Sequence, residues 1–349
     1  MTGGRLVTTT GKERSSIHDV ARLCNVSVST VSRVVNNKGR ISPATRERVL
    51  KAVEEVGYVT NAAARSLRMA SSKTVGIIVP DISDDWLAQM VSALERRLFD
   101  AGYSTLICNS DRDEEKEAAY IRSLDAKCVD GIICVAGIAA FPADELVREV
   151  PVICIDRRPR GLETVFSVES DHFAGGYLAG TELAETGCTR CAFVSRSLEL
   201  STDHLRHRGF CQALHDHGIV PDGRLLIRID PRLPSYEGAR DAVAQLLERG
   251  ERPDGVFATN DWRALGTIAA LEEHGLSVPR DVRVVGFDDS PIAAVTRPAI
   301  TSVRQDVPGI ARKATELLLA LAEGTAERTS ERHVIVPVRL IRRESTATS

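Results

Sequence analysis

The run Ser16-Ile-His-Asp-Val-Ala-Arg-Leu-Cys-Asn-Val-Ser-Val-Ser-Thr-Val-Ser-Arg-Val-Val-Asn36 carries two short amphipathic periods with a break between them. Ile17, Val20, Ala21 and Cys24 recur at i, i+3, i+4 and i+7, which predicts a helix over Ile17–Cys24 with Ser16 as N-cap and Asp19 near its positive end. Asn25 tolerates the left-handed conformation that a tight turn demands. Ser27 then caps a second helix, Val28 to Asn36, whose inner face is Val31, Val34 and Val35. Pro43 to Val56 reads as a third helix: Ser42 precedes an early Pro, the apolar residues are Val49, Leu50, Val53 and Val56, and Gly57 stops it. This spacing is that of a helix-turn-helix, a module that lays its second helix in a major groove.

Charge agrees with that reading. Residues 1–68 hold twelve basic and five acidic side chains, a net +7, whereas the rest of the 349-residue chain holds 33 basic and 43 acidic, a net −10. A near-neutral total of −3 therefore hides a basic head on an acidic body, as expected if the head alone meets nucleic acid. On the exposed side of the second helix, Val28 suits a thymine methyl, Ser29 a base edge or phosphate, and Arg33 the O6 and N7 of guanine. Ser32 shares that side.

The head closely resembles the DNA-binding headpiece of the lactose-repressor (LacI/GalR) family. The likeness continues through Ile41-Ser-Pro-Ala-Thr-Arg-Glu-Arg-Val-Leu50, Glu55-Val-Gly-Tyr58 and Asn61-Ala-Ala-Ala-Arg-Ser-Leu67, which match the family's third helix, the following turn and the hinge segment. Two positions depart: Asn25 stands where the family usually has Gly, and Thr60 replaces the usual Pro. The resemblance implies DNA contacts at Ser16, Ser27, Val28, Ser29, Thr30, Ser32, Arg33 and Asn36. In the hinge it implies contacts at Asn61, Ala64, Arg65, Leu67 and Arg68, with Leu67 wedged between base pairs of the minor groove. A hinge helix this short is unstable alone and is expected to fold only on DNA.

From Thr74 onward, apolar β-rich runs alternate with helical patterns. Val75 to Val79, Ser104 to Cys108, Gly131 to Val135 and Val152 to Ile155 read as strands, with helices over Trp86 to Ala101 and Glu114 to Lys127. The pattern then restarts: helices over Asp171 to Thr186, Leu205 to His217, Ser235 to Arg249 and Trp262 to His274 alternate with strands up to Val282 to Phe287. Two α/β subdomains follow, with ligand sites at the carboxyl ends of strands. The body resembles the periplasmic-binding-protein-like core of the same family, and Phe257-Ala-Thr-Asn-Asp-Trp-Arg-Ala-Leu-Gly266 and Val284-Val-Gly-Phe-Asp-Asp289 fix the register. The expected fold class is thus α/β: an N-terminal all-α helix-turn-helix headpiece plus a two-subdomain periplasmic-binding-protein-like core, parallel sheets flanked by helices. The domains expected are a flexible extension (1–15), headpiece (16–60), hinge and linker (61–72) and core (73–345). Chain crossings are expected near Glu169, Gln305 and Arg332, dividing the core into an N-subdomain (about 73–169 and 306–331) and a C-subdomain (about 170–305 and 332–345).

Carried over by position, Asp156 faces the interlobe cleft from the N-subdomain, and Arg206, Asn260, Asp261 and Asp288 line the other side. Carboxylates, an amide and an Arg fork suit a sugar or another small polyol. Trp86 falls where the family commonly carries a ligand-stacking aromatic; a buried helix-start aromatic explains it equally well. Arg232, Leu233 and Tyr236 lie near a further variable loop.

Other chemistries lack support. His204, His207, His215 and His217 have no Cys or carboxylate partners at metal-binding spacing, so no metal is expected. Gly175, Gly176 and Gly180 sit in a helical pattern without a phosphate-loop Lys and point to close helix packing. No cofactor fingerprint occurs, and Asp261 and Asp288 lack the nucleophile or metal that a sugar-processing enzyme needs. A solute-binding receptor would explain the body but leaves the head unused. The N-terminus carries no secretory h-region and the longest apolar runs fall far short of the roughly 20 residues that span a bilayer, so a cytoplasmic chain with eight free thiols and no membrane partner is expected. The resemblance implies a repressor that binds pseudo-palindromic operator DNA and a small effector, and acts as a homodimer, because no heptad helix of the kind found in tetrameric members follows Leu340.

Overall fold

The computed structural model describes residues 16–35, 39–57, 71–137, 150–157, 166–198, 201–325 and 332–347. They fall into two compact units that part between Ser72 and Lys73.

In the first unit, α1 (Ile17–Cys24) opens on a reciprocal capping box. Ser16 Oγ accepts from the Asp19 amide, and the Asp19 carboxylate takes the Ser16 amide at 2.8 Å. Asn25 closes it in the left-handed region (φ 52°, ψ 51°), as its side chain permits. Helix α2 (Val28–Val35) starts on Ser27, whose hydroxyl accepts from the Thr30 amide, and α3 (Pro43–Val56) is capped by Ser42 and stopped by Gly57 at φ 61°. Val20, Ala21, Cys24, Val31, Val34, Val49 and Ala52 form the core. Leu50, read as an inner residue, is 47% exposed, and Ala52 takes that place instead. The expected extension, Asn36 and the hinge from Asn61 to Arg68 lie outside the described residues.

The second unit contains two lobes. Its elements in chain order are β1 (Thr74–Val79), α4 (Asp85–Asp100), β2 (Ser104–Asn109), α5 (Glu114–Ala126), β3 (Gly131–Val135), β4 (Val152–Ile155) and β5 (Phe166–Ser170). There follow α6 (His172–Glu185), β6 (Cys191–Ser195), α7 (Ser201–Asp216), β7 (Leu226–Arg228), α8 (Ser235–Glu248), β8 (Gly255–Ala258), α9 (Asp261–Glu273) and β9 (Arg283–Asp288). The chain ends with α10 (Pro291–Val295), β10 (Thr301–Arg304), α11 (Val307–Ala322), β11 (His333–Val336) and β12 (Arg339–Ile341). The N-lobe sheet runs β11-β5-β4-β3-β1-β2 and is parallel throughout. The C-lobe sheet runs β12-β10-β9-β8-β6-β7 and is parallel except for β12 against β10. The central strands of both sheets are buried on both faces, which is why β3, β6 and β8 are continuous runs of buried residues rather than alternating ones. Helices α4 and α11 cover one face of the N-lobe sheet and α5 the other; α8 and α9 cover one face of the C-lobe sheet, and α6 and α7 the other.

The chain passes from N-lobe to C-lobe after Ser170 and back between Arg304 and Val307. The third passage lies at Pro337–Val338, not near Arg332. The reason is that His333–Val336 pairs in parallel with Ser167–Ser170, which keeps this strand in the N-lobe. At the first two passages Ser170 Oγ donates to Gln305 Oε1 at 2.6 Å, tying the crossing segments together. Among the described residues no helix is long and apolar enough to cross a membrane.

Candidate functional site

In the first unit, α2 presents Ser29 and Arg33 as exposed, with Val28, Thr30 and Ser32 half-buried beside them. The Arg33 side chain makes no hydrogen bond or ion pair among the described residues. Ser16 is spent on its capping box, and the Ser27 hydroxyl lies 2.7 Å from Ser29 Oγ and 2.8 Å from Thr30 Oγ1. This cluster of hydroxyls marks the N-terminal end of α2, where positive helix dipole and free amides favour phosphate.

In the second unit the strand-end residues of both lobes converge on a cavity of about 370 Å3. From the N-lobe come Pro80, Ala136 and Asp156, each directly after a strand, with Asp84 and Trp86 from the start of α4. From the C-lobe come Arg196 after β6, Thr259 and Asn260 after β8, and Asp288 at the end of β9. Asp156 and Asp288 hold left-handed backbones (φ 70° and 97°). Such strain is uncommon in a non-glycine residue and gathers at functional positions.

Two of the groups expected here, Asp156 and Arg206, are joined through His172 across the first passage between lobes. Arg206 Nε donates to His172 Nδ1 (3.3 Å), and His172 Nε2 lies 2.8 Å from Asp156 Oδ1. His172 therefore stands between the Arg206 guanidinium and the Asp156 carboxylate, within reach of both. Arg206 is pinned further by donation to the Thr259 carbonyl (2.7 Å) and by stacking 3.6 Å over the Phe287 ring. Burial pushes the Asp156 carboxyl up, but His172, Arg206 and Arg157 outweigh it and bring it down to about 2. Asp288 has the opposite balance: burial dominates the pull of Arg206 and raises it well above the usual range, while Gln305 Nε2 donates to its Oδ1 at 2.7 Å. Ser170, Gln305 and Asp288 thus connect the crossing segments to the cavity wall.

Asn260 lines the cavity and also caps α9, accepting from the Arg263 amide at 2.8 Å. Trp86 is 6% exposed at the start of α4, packs with the N-lobe core and also lines the cavity. Asp261 corrects the sequence reading. It is 1% exposed and absent from the cavity wall; its carboxylate accepts from Ser302 Oγ (2.6 Å), the Ser290 amide (2.7 Å) and Ser290 Oγ (2.9 Å). Asn260 takes the N-cap, so the next residue enters the helix and turns its side chain into the lobe. Arg112, Arg157, Arg196, Asp203, Arg263 and Gln305 line the cavity and were not singled out as ligand-facing. The signal for Arg196 was its place directly after an apolar strand; Arg263 stands one helical turn beyond Asn260. Arg232, Leu233 and Tyr236 line an adjoining cavity of about 490 Å3 that shares Asp84, Arg112 and Arg196. At this mouth Trp262 Nε1 donates to Asp85 Oδ2 at 2.9 Å, bridging the lobes.

A trihelical head with an exposed Arg33 on its second helix, joined in one chain to a two-lobed body with a strand-end cavity, defines the class of DNA-binding regulators built on a periplasmic-binding-protein-like core. Comparison with known proteins agrees. Residues 16–61 match the model for bacterial regulatory proteins of the lacI family, and residues 181–346 that for the periplasmic binding protein-like domain. Catabolite control protein A of Priestia megaterium is 34% identical over 305 residues, 87% of this chain and 91% of that one. The lac repressor dimer bound to operator and the anti-inducer ONPF superposes with a TM-score of 0.84 at 26% identity, covering 96% of this chain and all of that one. A transcriptional regulator CelR–cellobiose complex gives 0.71 at 30% identity, covering 95% of this chain and all of that one. The chain belongs to the LacI family. It is a transcriptional regulator and not an enzyme.

Proposed function

We propose that this regulator is a cytoplasmic repressor whose operator affinity is set by a small polyhydroxylated effector in the interlobe cavity. The observation that carries the reading is the chain of contacts Asp156–His172–Arg206, which links groups of both lobes on one cavity wall. Asp156, Arg206, Asn260 and Asp288 bind the effector's hydroxyls, with Trp86 beside them. Asp261 supports the pocket from behind.

The chain acts as a homodimer. Two α2 helices enter successive major grooves of a pseudo-palindromic operator through Ser29 and Arg33, with Val28, Thr30 and Ser32 alongside. The hinge residues Asn61, Ala64, Arg65, Leu67 and Arg68, which lie outside the described residues, are assigned to minor-groove contact by likeness to the family, with Leu67 as the wedge. The lac repressor neighbour is a dimer on operator, and CelR holds cellobiose, which supports both parts by likeness. Coupling between effector and DNA is expected at roughly 1 to 3 kcal/mol per site, or about 5- to 150-fold in affinity.

The test takes a ligand found by a thermal-shift screen of sugars, sugar phosphates and purines and titrates it into the operator complex. The ligand should change operator affinity in the wild type. Arg206→Ala should lose that response while binding operator normally, and an intact response in this variant would overturn the assignment of the cavity.

A further inference from the structure

The cavity wall is rich in guanidinium groups that lack a carboxylate in contact. Five arginines line it: Arg112, Arg157, Arg196, Arg206 and Arg263. Arg112 is paired with Asp81 at 3.1 Å. The others find only neutral acceptors among the described residues. Arg196 donates to the carbonyls of Pro231 (2.6 Å) and Leu233 (3.4 Å), and Arg157 to that of Ala136 (3.4 Å). Arg263 donates to Thr259 Oγ1 (2.7 Å), and Arg206 to His172 and the Thr259 carbonyl. Arg263 is 8% exposed, and its Nε is buried without a hydrogen-bond partner.

The aspartates on the same wall, Asp84, Asp156, Asp203 and Asp288, offset part of this charge from a distance, but among the described residues none makes an ion pair with Arg157, Arg196, Arg206 or Arg263, and each is hydrogen-bonded or paired to another group. Asp84 accepts from the amides of Trp86 and Leu87, Asp203 is directed at the amides of Arg196 and Ser197, Asp156 faces His172, and Asp288 takes the Gln305 amide. Burial raises Asp84 and Asp288, whereas Asp156 is held low. The cost is visible at Arg196, where burial and then repulsion from Arg263 and Arg112 pull the guanidinium down to about 10. Buried cations held by carbonyls and hydroxyls alone are costly, and a neutral ligand leaves that cost in place.

We infer that the effector carries a compact oxyanion, a phosphate ester or a carboxylate, which Arg196 and Arg263 grip while its hydroxylated part meets Asp156, Asn260 and Arg206. The inference rests on the cavity being the effector site. Guanidinium forks bind both oxyanions in bidentate fashion, so the wall suits either source.

The test is calorimetric titration of the full chain at constant ionic strength with inorganic phosphate in one arm and acetate in the other. Saturable binding of at least one ion is expected, and the arm that binds more tightly identifies the source. R196Q and R263Q should each weaken it about tenfold or more, as expected for loss of a charge-assisted pair. R224Q, at an exposed arginine outside the cavity, should leave it unchanged. R263K preserves the charge but not the fork, and where R263Q does not fold, intermediate weakening by R263K supports the same contact. Absence of saturable binding of either ion to the wild type, or equal binding by wild type, R196Q and R263K, would overturn the inference. A neutral sugar that shifts operator affinity through Arg206 in a protein that binds neither ion would remove the anion and keep the effector site. Ion binding lost in R196Q, with no small molecule altering operator affinity, would keep the anion site and remove the regulatory reading.

Discussion

Asp156 carries the clearest electrostatic signature in the body. Its carboxyl is held at about 2 against an ordinary 3.8, because the His172 and arginine contacts outweigh desolvation. A depressed carboxyl stabilises the fold above its unfolded value, and that contribution disappears as pH falls through the folded value. Asp156→Asn should therefore lower stability by roughly 2 kcal/mol near neutrality, and the gap to wild type should close between about pH 4 and pH 2; unfolding midpoints over that range measure it. A constant gap would place the effect in packing instead. At this scale the sequence was partly legible. Asp156, Arg206, Asn260 and Asp288 were readable because they follow strands or family landmarks, and all four reach the cavity. Asp261 misled because adjacent residues at a helix start face different ways, a distinction set by which one takes the cap. Arg263 and His172 escaped because their importance lies in long-range partners, Thr259 and Asp156 among them, that no local pattern displays.

Among the elements, the packing of α6 on α7 decides where Arg206 stands. A β-carbon at Gly176 would overlap the main-chain oxygen of Arg206, and one at Gly209 that of Phe173, so the two helices approach at backbone contact. Gly176→Ala should push α7 outward, cost about 1 to 3 kcal/mol in unfolding free energy and weaken the effector response without touching DNA contacts. Normal stability with a normal response would show that the helices can part freely. The apolar strands were read to within a residue or two, since burial on both faces leaves unbroken runs: Gly131–Val135 and Val152–Ile155 agree end to end. Strands β10, β11 and β12 were not read at all. They are three or four residues long and mix polar with apolar side chains, and β11 is half-exposed at the edge of its sheet, so its lobe is fixed only by pairing with β5. That is also why the third passage between lobes was expected some five residues early.

For the molecule as a whole, the division of labour was already written in its charge, a head at +7 and a body at −10. The headpiece can grip phosphates while the body's surplus of acid keeps the rest of the chain off the duplex. The family then supplies the logic that joins them, with DNA recognised at one end and a small molecule sensed at the other. The most direct test is selection of bound duplexes from a random pool by the full chain, repeated with Arg33→Ala. The account predicts enrichment of a two-fold symmetric site, with base preference relaxed by about 1 to 3 kcal/mol at one position of each half-site in the variant. A pool that stays random with the wild-type chain, or an enriched site with no internal symmetry, would contradict it.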